Sequence, residues 1–329
     1  MNKKNVKALC LFSGGLDSLL AVCLMQKQGI TVDAIVFTST FFDLDPALKG
    51  AKQLGVNLIQ KDFTENIIGL INDPPHGFGK GINPCIDCHA LMFKTAGEYM
   101  KEHDYDFMCT GEVLNERPMS QNKKSLRIVA DDSQYGEYLL RPLSAKILPP
   151  TKMEESGLVD REQLEDIQGR GRKKQMALAI EFGLKSYPSP AGGCKLTEPS
   201  FAKRMKDLKA HEGIDNLNNI NFLKIGRHFR LQDGTKLIVG RNRSDNEYII
   251  NNFNRAENYI LHAADVKGPF AILPKDSSEE TLKIASSICA RYSDSEENQP
   301  TTIRIKLMDD ENTVAAIPMK QEEINTLLL

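Results

Sequence analysis

The run Ser13-Gly14-Gly15-Leu16-Asp17-Ser18 contains residue types suited to gripping a polyphosphate. Paired glycines let backbone N–H groups come close to phosphate oxygens, and the Ser13 and Ser18 hydroxyls add donors. A carboxylate would repel the same ligand, so Asp17 must either face into the turn or meet the phosphates through Mg²⁺. A second run, Asn83-Pro84-Cys85-Ile86-Asp87-Cys88-His89, sets two thiols on one side of a turn or helix start. There both can ligate one metal or exchange a disulfide. Cys194 follows Ala-Gly-Gly in a stretch rich in Pro and Gly, outside any apolar pattern.

Several chemistries fit these three cysteines. Cys-Ile-Asp-Cys-His has the spacing of c-type haem attachment, which requires an exported chain. Structural zinc needs four ligands, so His89 or His76 would have to join Cys85, Cys88 and Cys194. A redox dithiol would pair Cys85 with Cys194. An Fe–S cluster on three thiolates would leave one iron open for substrate or sulfide. The plain alternative is three unrelated thiols. The other four cysteines, Cys10, Cys23, Cys109 and Cys289, lie in apolar patterns and read as core residues.

Strands are expected at 6–12, 32–38, 56–60, 107–110 and 138–141. Helices are expected at 17–28, 46–54, 64–71 and 86–103, then at 160–182 and 197–209. Continuous apolar strands alternating with helical periods predict an α/β fold, with a parallel sheet covered by helices on both faces. The phosphate loop then follows the first strand, where ligands of such sheets gather. The Gly- and Pro-rich stretch 73–84 reads as a mobile loop, and 186–193 breaks the helix before Cys194. From about 216 the pattern changes to short strand-like runs, among them 247–253, predicting a smaller α+β domain. The expected domains are 1–212 and 216–329.

Net charge is −2 over 329 residues, so any nucleic-acid surface must be a local patch. One such patch spans 222–243, where Lys224, Arg227, Arg230, Lys236, Arg241 and Arg243 face a single acid, Asp233. On short strands this spacing gathers charge on one face able to touch phosphates. No apolar run approaches the roughly 20 residues of a membrane span. An odd cysteine count argues against a disulfide framework, and the chain reads as cytoplasmic.

Ser-Gly-Gly-Leu-Asp-Ser resembles the SGGxDS motif of the PP-loop, or N-type, ATP pyrophosphatases, which split ATP into AMP and pyrophosphate. NPCIDCHALMFK is similar to a segment of the tRNA 2-thiouridylases. TGEVLNERPMSQ and LLRPL resemble segments of the tRNA 4-thiouridine synthetases. Together these matches cover roughly residues 5–200. The resemblance implies a PP-loop fold of the adenine nucleotide α-hydrolase type and ATP-dependent thiolation of a tRNA uridine through an adenylated base. Ser13, Gly14, Gly15, Asp17 and Ser18 carry over as the ATP loop, with Phe37, Thr38 and Gly111 as further nucleotide-pocket candidates. Asp17, Cys85 and Cys194 are the implied catalytic residues. Cys85, Cys88 and Cys194 match the three-cysteine set of thiolases that hold a [4Fe–4S] cluster, with zinc as the alternative cofactor. The implied partners are tRNA and a sulfur donor, either sulfide or a persulfide from a cysteine desulfurase.

GTKLIVGRNRSDNEYI and ILHAADVKGPFAIL resemble the NFACT-type RNA-binding module. That module would supply the RNA surface, since neither the THUMP nor the rhodanese domain of the 4-thiouridine synthetases is recognised. Two other functions fit the same motifs. One is a PP-loop ligase or synthase acting on a small molecule, with a zinc-binding or redox cysteine cluster. The other is a non-catalytic RNA-binding or sulfur-carrier protein.

Overall fold

The computed structural model describes residues 5–189 and 193–329. By contacts the chain divides into Met1–Glu198 and Pro199–Leu329. Strands of the first unit are β1 (Lys7–Leu11), β2 (Thr31–Thr38), β3 (Leu58–Asp62), β4 (Phe107–Thr110) and β5 (Leu139–Leu140). They pair in parallel in the order β3-β2-β1-β4-β5. Its helices are α1 (Leu16–Lys27), α2 (Asp45–Leu54), α3 (Thr64–Asn72), α4 (Cys85–Glu102), α5 (Lys123–Ser133), α6 (Lys152–Glu155) and α7 (Lys173–Glu181).

Ala8, Leu9 and Cys10 of β1 are fully buried, as a central parallel strand covered on both faces requires. In α1 nearly every residue from Leu16 to Met25 is buried, so this helix lies inside the unit rather than on its surface. The chain builds β1, β2 and β3 outward, then crosses to β4 on the other side of β1. That reversal opens a crevice beyond the carboxyl ends of β1 and β4. Both chemical motifs of the sequence lead to it.

Only the last third of the helix expected at 160–182 forms, as α7. Upstream, Ile167 N–H donates to Leu143 O and Gly169 N–H to Leu114 O, so this backbone bonds to neighbouring segments instead of to itself. Gly169, at φ +81°, marks the break. Helix α5 was not expected; Asn122 caps it by accepting from Ser125 N–H. Loop 73–84 is tied down by Gly79 N–H to Asn83 O and by His76 Nδ1 to Asp87 Oδ1 at 2.6 Å. Of the helix break at 186–193, Pro190–Gly192 lie outside the described residues.

The second unit has helices α8 (Pro199–His211), α9 (Leu217–Phe222), α10 (Arg243–Asn252), α11 (Glu279–Arg291) and α12 (Gln321–Leu327). Its strands are β6 (Arg227–Arg230), β7 (Lys236–Val239), β8 (Asn258–Ala263), β9 (Ala271–Pro274), β10 (Thr301–Leu307) and β11 (Asp310–Ala316). They form an antiparallel sheet in the order β11-β10-β8-β9-β7-β6. Ala285, Ile288 and Cys289 of α11 pack with Leu237, Leu261, Leu273 and Ile303 of the sheet. Helix α8, expected to close the first domain, falls in this unit. The strand-like run 247–253 is helical: Asn242 accepts from Asp245 N–H and starts α10. Among the described residues no helix is long and apolar enough to cross a membrane.

Candidate active site and nucleic-acid interface

At the end of β1, Phe12 N–H donates to Ile35 O and the chain turns through Gly14 at φ +75°. A Cβ on Gly14 would lie 2.2 Å from the Pro46 carbonyl of α2, so only glycine lets the turn pass. Gly15 caps α1 with no side-chain bond to the first-turn amides, which leaves them for an anion. Ser18 Oγ donates to Gly15 O at 2.8 Å and Gly15 N–H to Ser13 Oγ at 3.3 Å, fixing the loop from within. Gly111 follows β4 directly; a Cβ there would come within 2.5 Å of the Asp17 carbonyl carbon and Ser18 N. Its role is close backbone approach to the loop. Phe37 and Thr38 turn inward: Phe37 packs edge-on against Phe63 at 5.2 Å, and Thr38 Oγ1 donates to Lys61 O at 3.4 Å.

Asp17 faces into the structure. Its Oδ1 is buried without a hydrogen bond, and so are Arg172 Nε and both amide atoms of Gln175. Burial raises the Asp17 carboxyl above its ordinary value, against the pull of the Arg172 and Arg117 charges. Glu116 is raised too, by burial and by the charge of Asp17. Buried polar groups are normally paired, so this knot of open valences beside the loop marks a place for a ligand. A phosphate with its Mg²⁺ fits: a carboxylate for the metal, a guanidinium for the anion. Sequence reasoning missed Arg172 and Gln175, which α7 brings in from far along the chain. The one local signal was the glycine-spaced basic run Gly169-Arg170-Gly171-Arg172.

Cys85 opens α4, and Asn83 Nδ2 donates to its Sγ at 3.0 Å. Cys88 is buried one turn on. Cys194 reaches them through a stitched segment, with Lys195 N–H bonded to Phe41 O and Ile82 N–H to Leu196 O. Burial lifts the Cys88 thiol well above its ordinary value, and Cys194 and Cys85 add to the rise. Burial likewise pushes Cys194 up to about 12, with Cys85 adding and Arg117 opposing. The three thiols are therefore electrostatic neighbours. Among the described residues, no group of three or more His, Cys, Asp or Glu side chains is set to hold a metal ion. Of the histidines weighed for a zinc set, His89 Nδ1 pairs with Glu112 Oε1 at 3.0 Å and His76 Nδ1 with Asp87 Oδ1 at 2.6 Å. Cys10, Cys23, Cys109 and Cys289 are buried and free, as expected of core thiols.

Glu112 joins the two half-sites. Buried at the end of β4, beside Gly111 and the phosphate loop, it binds His89 of the cysteine helix and accepts from Arg141 Nε at 2.9 Å. Burial alone would raise its carboxyl, but Arg141 and His89 overcome that and hold it at about 2. Three sequence segments, TGE, CxxCH and LLRPL, thus meet at one carboxylate.

The basic strip divides in two. Arg230 donates from Nε and Nη2 to Asp207 of α8 at 3.1 and 2.5 Å, and Lys236 Nζ to the same carboxylate at 2.6 Å. With side chains 12% and 11% exposed, both tie α8 to the sheet. Arg227, Arg241 and Arg243 instead surround an open cavity beside α10. Lys224 is exposed and donates to Asn221 Oδ1.

Residues 6–158 match the family described as tRNA methyl transferase HUP domain, and residues 226–328 the NFACT protein RNA binding domain. A probable tRNA sulfurtransferase of Methanocaldococcus jannaschii is 28% identical over 142 residues, 42% of this chain and 36% of that protein. The chain therefore spans about a third of that relative's length. The tRNA-specific 2-thiouridylase MnmA of Haemophilus influenzae is 23% identical over 274 residues, 74% of this chain and 70% of that one. A solved 4-thiouridine synthetase–RNA complex with bound ATP aligns with a TM-score of 0.39 at 16% identity, over 67% of this chain and 51% of its own.

Proposed function

We propose that this chain, a HUP-fold ATP-binding domain of the PP-loop type joined to an NFACT-type RNA-binding domain, uses ATP to thiolate a uridine of tRNA. The observation that carries this reading is the junction at Gly111-Glu112. One side of it packs on the backbone of the phosphate loop, and the other holds the helix that bears Cys85 and Cys88. Activation by phosphate chemistry and delivery of sulfur would share one end of the sheet.

In this mechanism the uridine carbonyl oxygen attacks the α-phosphate of ATP, forming the adenylated base and releasing pyrophosphate. Sulfur then bonds to the ring carbon, and AMP leaves. The open amides of α1 and the Arg172 guanidinium hold the polyphosphate in line and offset its growing charge. Asp17 would hold Mg²⁺, which neutralises phosphate oxygens when bound. Cys85, Cys88 and Cys194 are the residues that would hold a [4Fe–4S] cluster, which would supply a binding place for the incoming sulfur. The likeness to thiouridylases and the three neighbouring thiols support that cofactor. Lys224, Arg227, Arg241 and Arg243 would dock the tRNA. A cytoplasmic enzyme of this kind would take its sulfur from sulfide or from a persulfide donor.

The test is mass spectrometry of tRNA nucleosides from a strain lacking the protein, complemented by wild type or Asp17→Ala. A thiouridine should disappear and return only with wild type. An unchanged nucleoside profile would overturn the reading in favour of a small-molecule substrate. Iron and acid-labile sulfide should bind after anaerobic reconstitution and be lost in Cys88→Ala; tightly held zinc in colourless protein would remove the cluster.

A further inference from the structure

The cavity in the second unit has a volume of 460 Å³, within the roughly 300–1,000 Å³ range of small-ligand sites. Its chemistry comes from Arg227, Arg241, Arg243, Asn246, Phe270 and Tyr292. Three guanidinium groups stand against two carboxylates, Glu247 in the lining and Asp245 paired to Arg241, so the cavity keeps a net positive charge and favours an anion.

Each cation has a distinct position. Arg227 lies 4.2 Å over the Tyr292 ring and donates from Nη1 to Gly240 O, making a braced cation–aromatic platform. Arg241 is fixed by Asp245, whose Oδ2 accepts from its Nε at 2.7 Å, from its backbone N–H and from Gly226 N–H. Arg243 is 92% exposed at the rim and tethered by Glu247 alone. Asn246 Oδ1 accepts from Phe270 N–H, which leaves Nδ2 as a donor for the cavity. A Cβ on Gly240 would lie 2.0 Å from Asn246 Oδ1, so glycine is needed for this wall.

We propose that this cavity takes one unstacked nucleotide of single-stranded RNA, its phosphate among Arg241, Arg243 and Asn246 and its base against the Arg227–Tyr292 platform. An acidic peptide would use the cations and leave the flat faces idle, whereas a nucleotide uses both. The proposal rests on the reading that this unit docks RNA. It adds the point of grip, a single-stranded element and not duplex backbone.

The test uses the full chain and fluorescence anisotropy with a labelled single-stranded oligoribonucleotide, its duplex and AMP as competitor, over a series of salt concentrations. Tyr292→Leu should weaken single-strand binding by about 5-fold with the salt slope unchanged, since it removes the ring that braces Arg227 as the stacking face. Arg243→Ala should weaken binding and lower the slope by about one. Being exposed, that variant keeps the test decisive if Tyr292→Leu fails to fold. Wild-type affinity in a folded Tyr292→Leu protein, an unchanged slope in Arg243→Ala, or equal binding of strand and duplex would overturn the proposal. AMP binding as tight as the oligoribonucleotide's would make the cavity a free-nucleotide site and overturn it too. Such results would leave the thiolation reading intact, since that stands or falls on the tRNA nucleosides.

Discussion

Glu112 shows how one side chain can fix a site without touching a substrate. Its carboxyl sits at about 2 against an ordinary 4.5, so between those values the unfolded chain binds more protons than the folded one. The stability it contributes is complete above about pH 5 and is lost as pH falls toward 2. Glu112→Gln should remove that acid-sensitive part. It should also cost about 3 kcal/mol near neutrality, because Arg141, 11% exposed, would keep its charge and its bond to Leu126 O but lose its counter-charge. Urea midpoints from pH 7 to pH 3 check both effects; parallel acid losses in variant and wild type would refute the assignment. The importance of Asp17 was legible because its motif is contiguous. Arg172, Gln175 and the Glu112 hub were not, because each depends on segments that only folding brings together.

Among the elements, α4 and α8 make opposite points. Helix α4 carries both thiols of its CxxC in sequence, so local spacing alone set them on one turn. Helix α8 belongs to the second unit because Asp207 binds Arg230 and Lys236, a choice made by long-range charge pairing. Asp207→Ala should destabilise that unit by about 3 kcal/mol, since it strands the largely buried Lys236 and leaves Arg230 with Glu212 as its remaining carboxylate. RNA affinity of the folded fraction should stay unchanged. Thermal melting and binding at low temperature separate the two; weaker binding with no loss of stability would return Arg230 and Lys236 to the RNA face. Helix α10 replaced an expected strand for a related reason. Its apolar residues suit either state, and the Asn242 cap decides.

On the scale of the molecule, the core clusters described keep to one side of the boundary at residue 198, one drawn from residues between Ala8 and Ala179 and the others from Phe222 to Ile324. Each unit thus has the buried apolar surface to fold alone. A piece spanning 199–329 should melt cooperatively and bind RNA with salt dependence. A piece spanning 1–198 should bind ATP, and added tRNA should draw little pyrophosphate from it. Calorimetry and a pyrophosphate assay check this, and an unfolded 199–329 piece would refute it.

By itself the sequence determined what contiguous residues can determine: the phosphate loop, the paired thiols, the alternation of strands and helices, and the change of pattern at the second domain. Local backbone geometry and periodicity carry those features. Tertiary structure decided what depends on distant partners. It drew Arg172 and Gln175 to Asp17, bonded the segment after Cys194 to Phe41 and Ile82, joined three motifs at Glu112, and set Arg230 and Lys236 on Asp207 while Arg227, Arg241 and Arg243 line a cavity. Charge and burial select such partners through space, and neither is written in the spacing of neighbours along the chain.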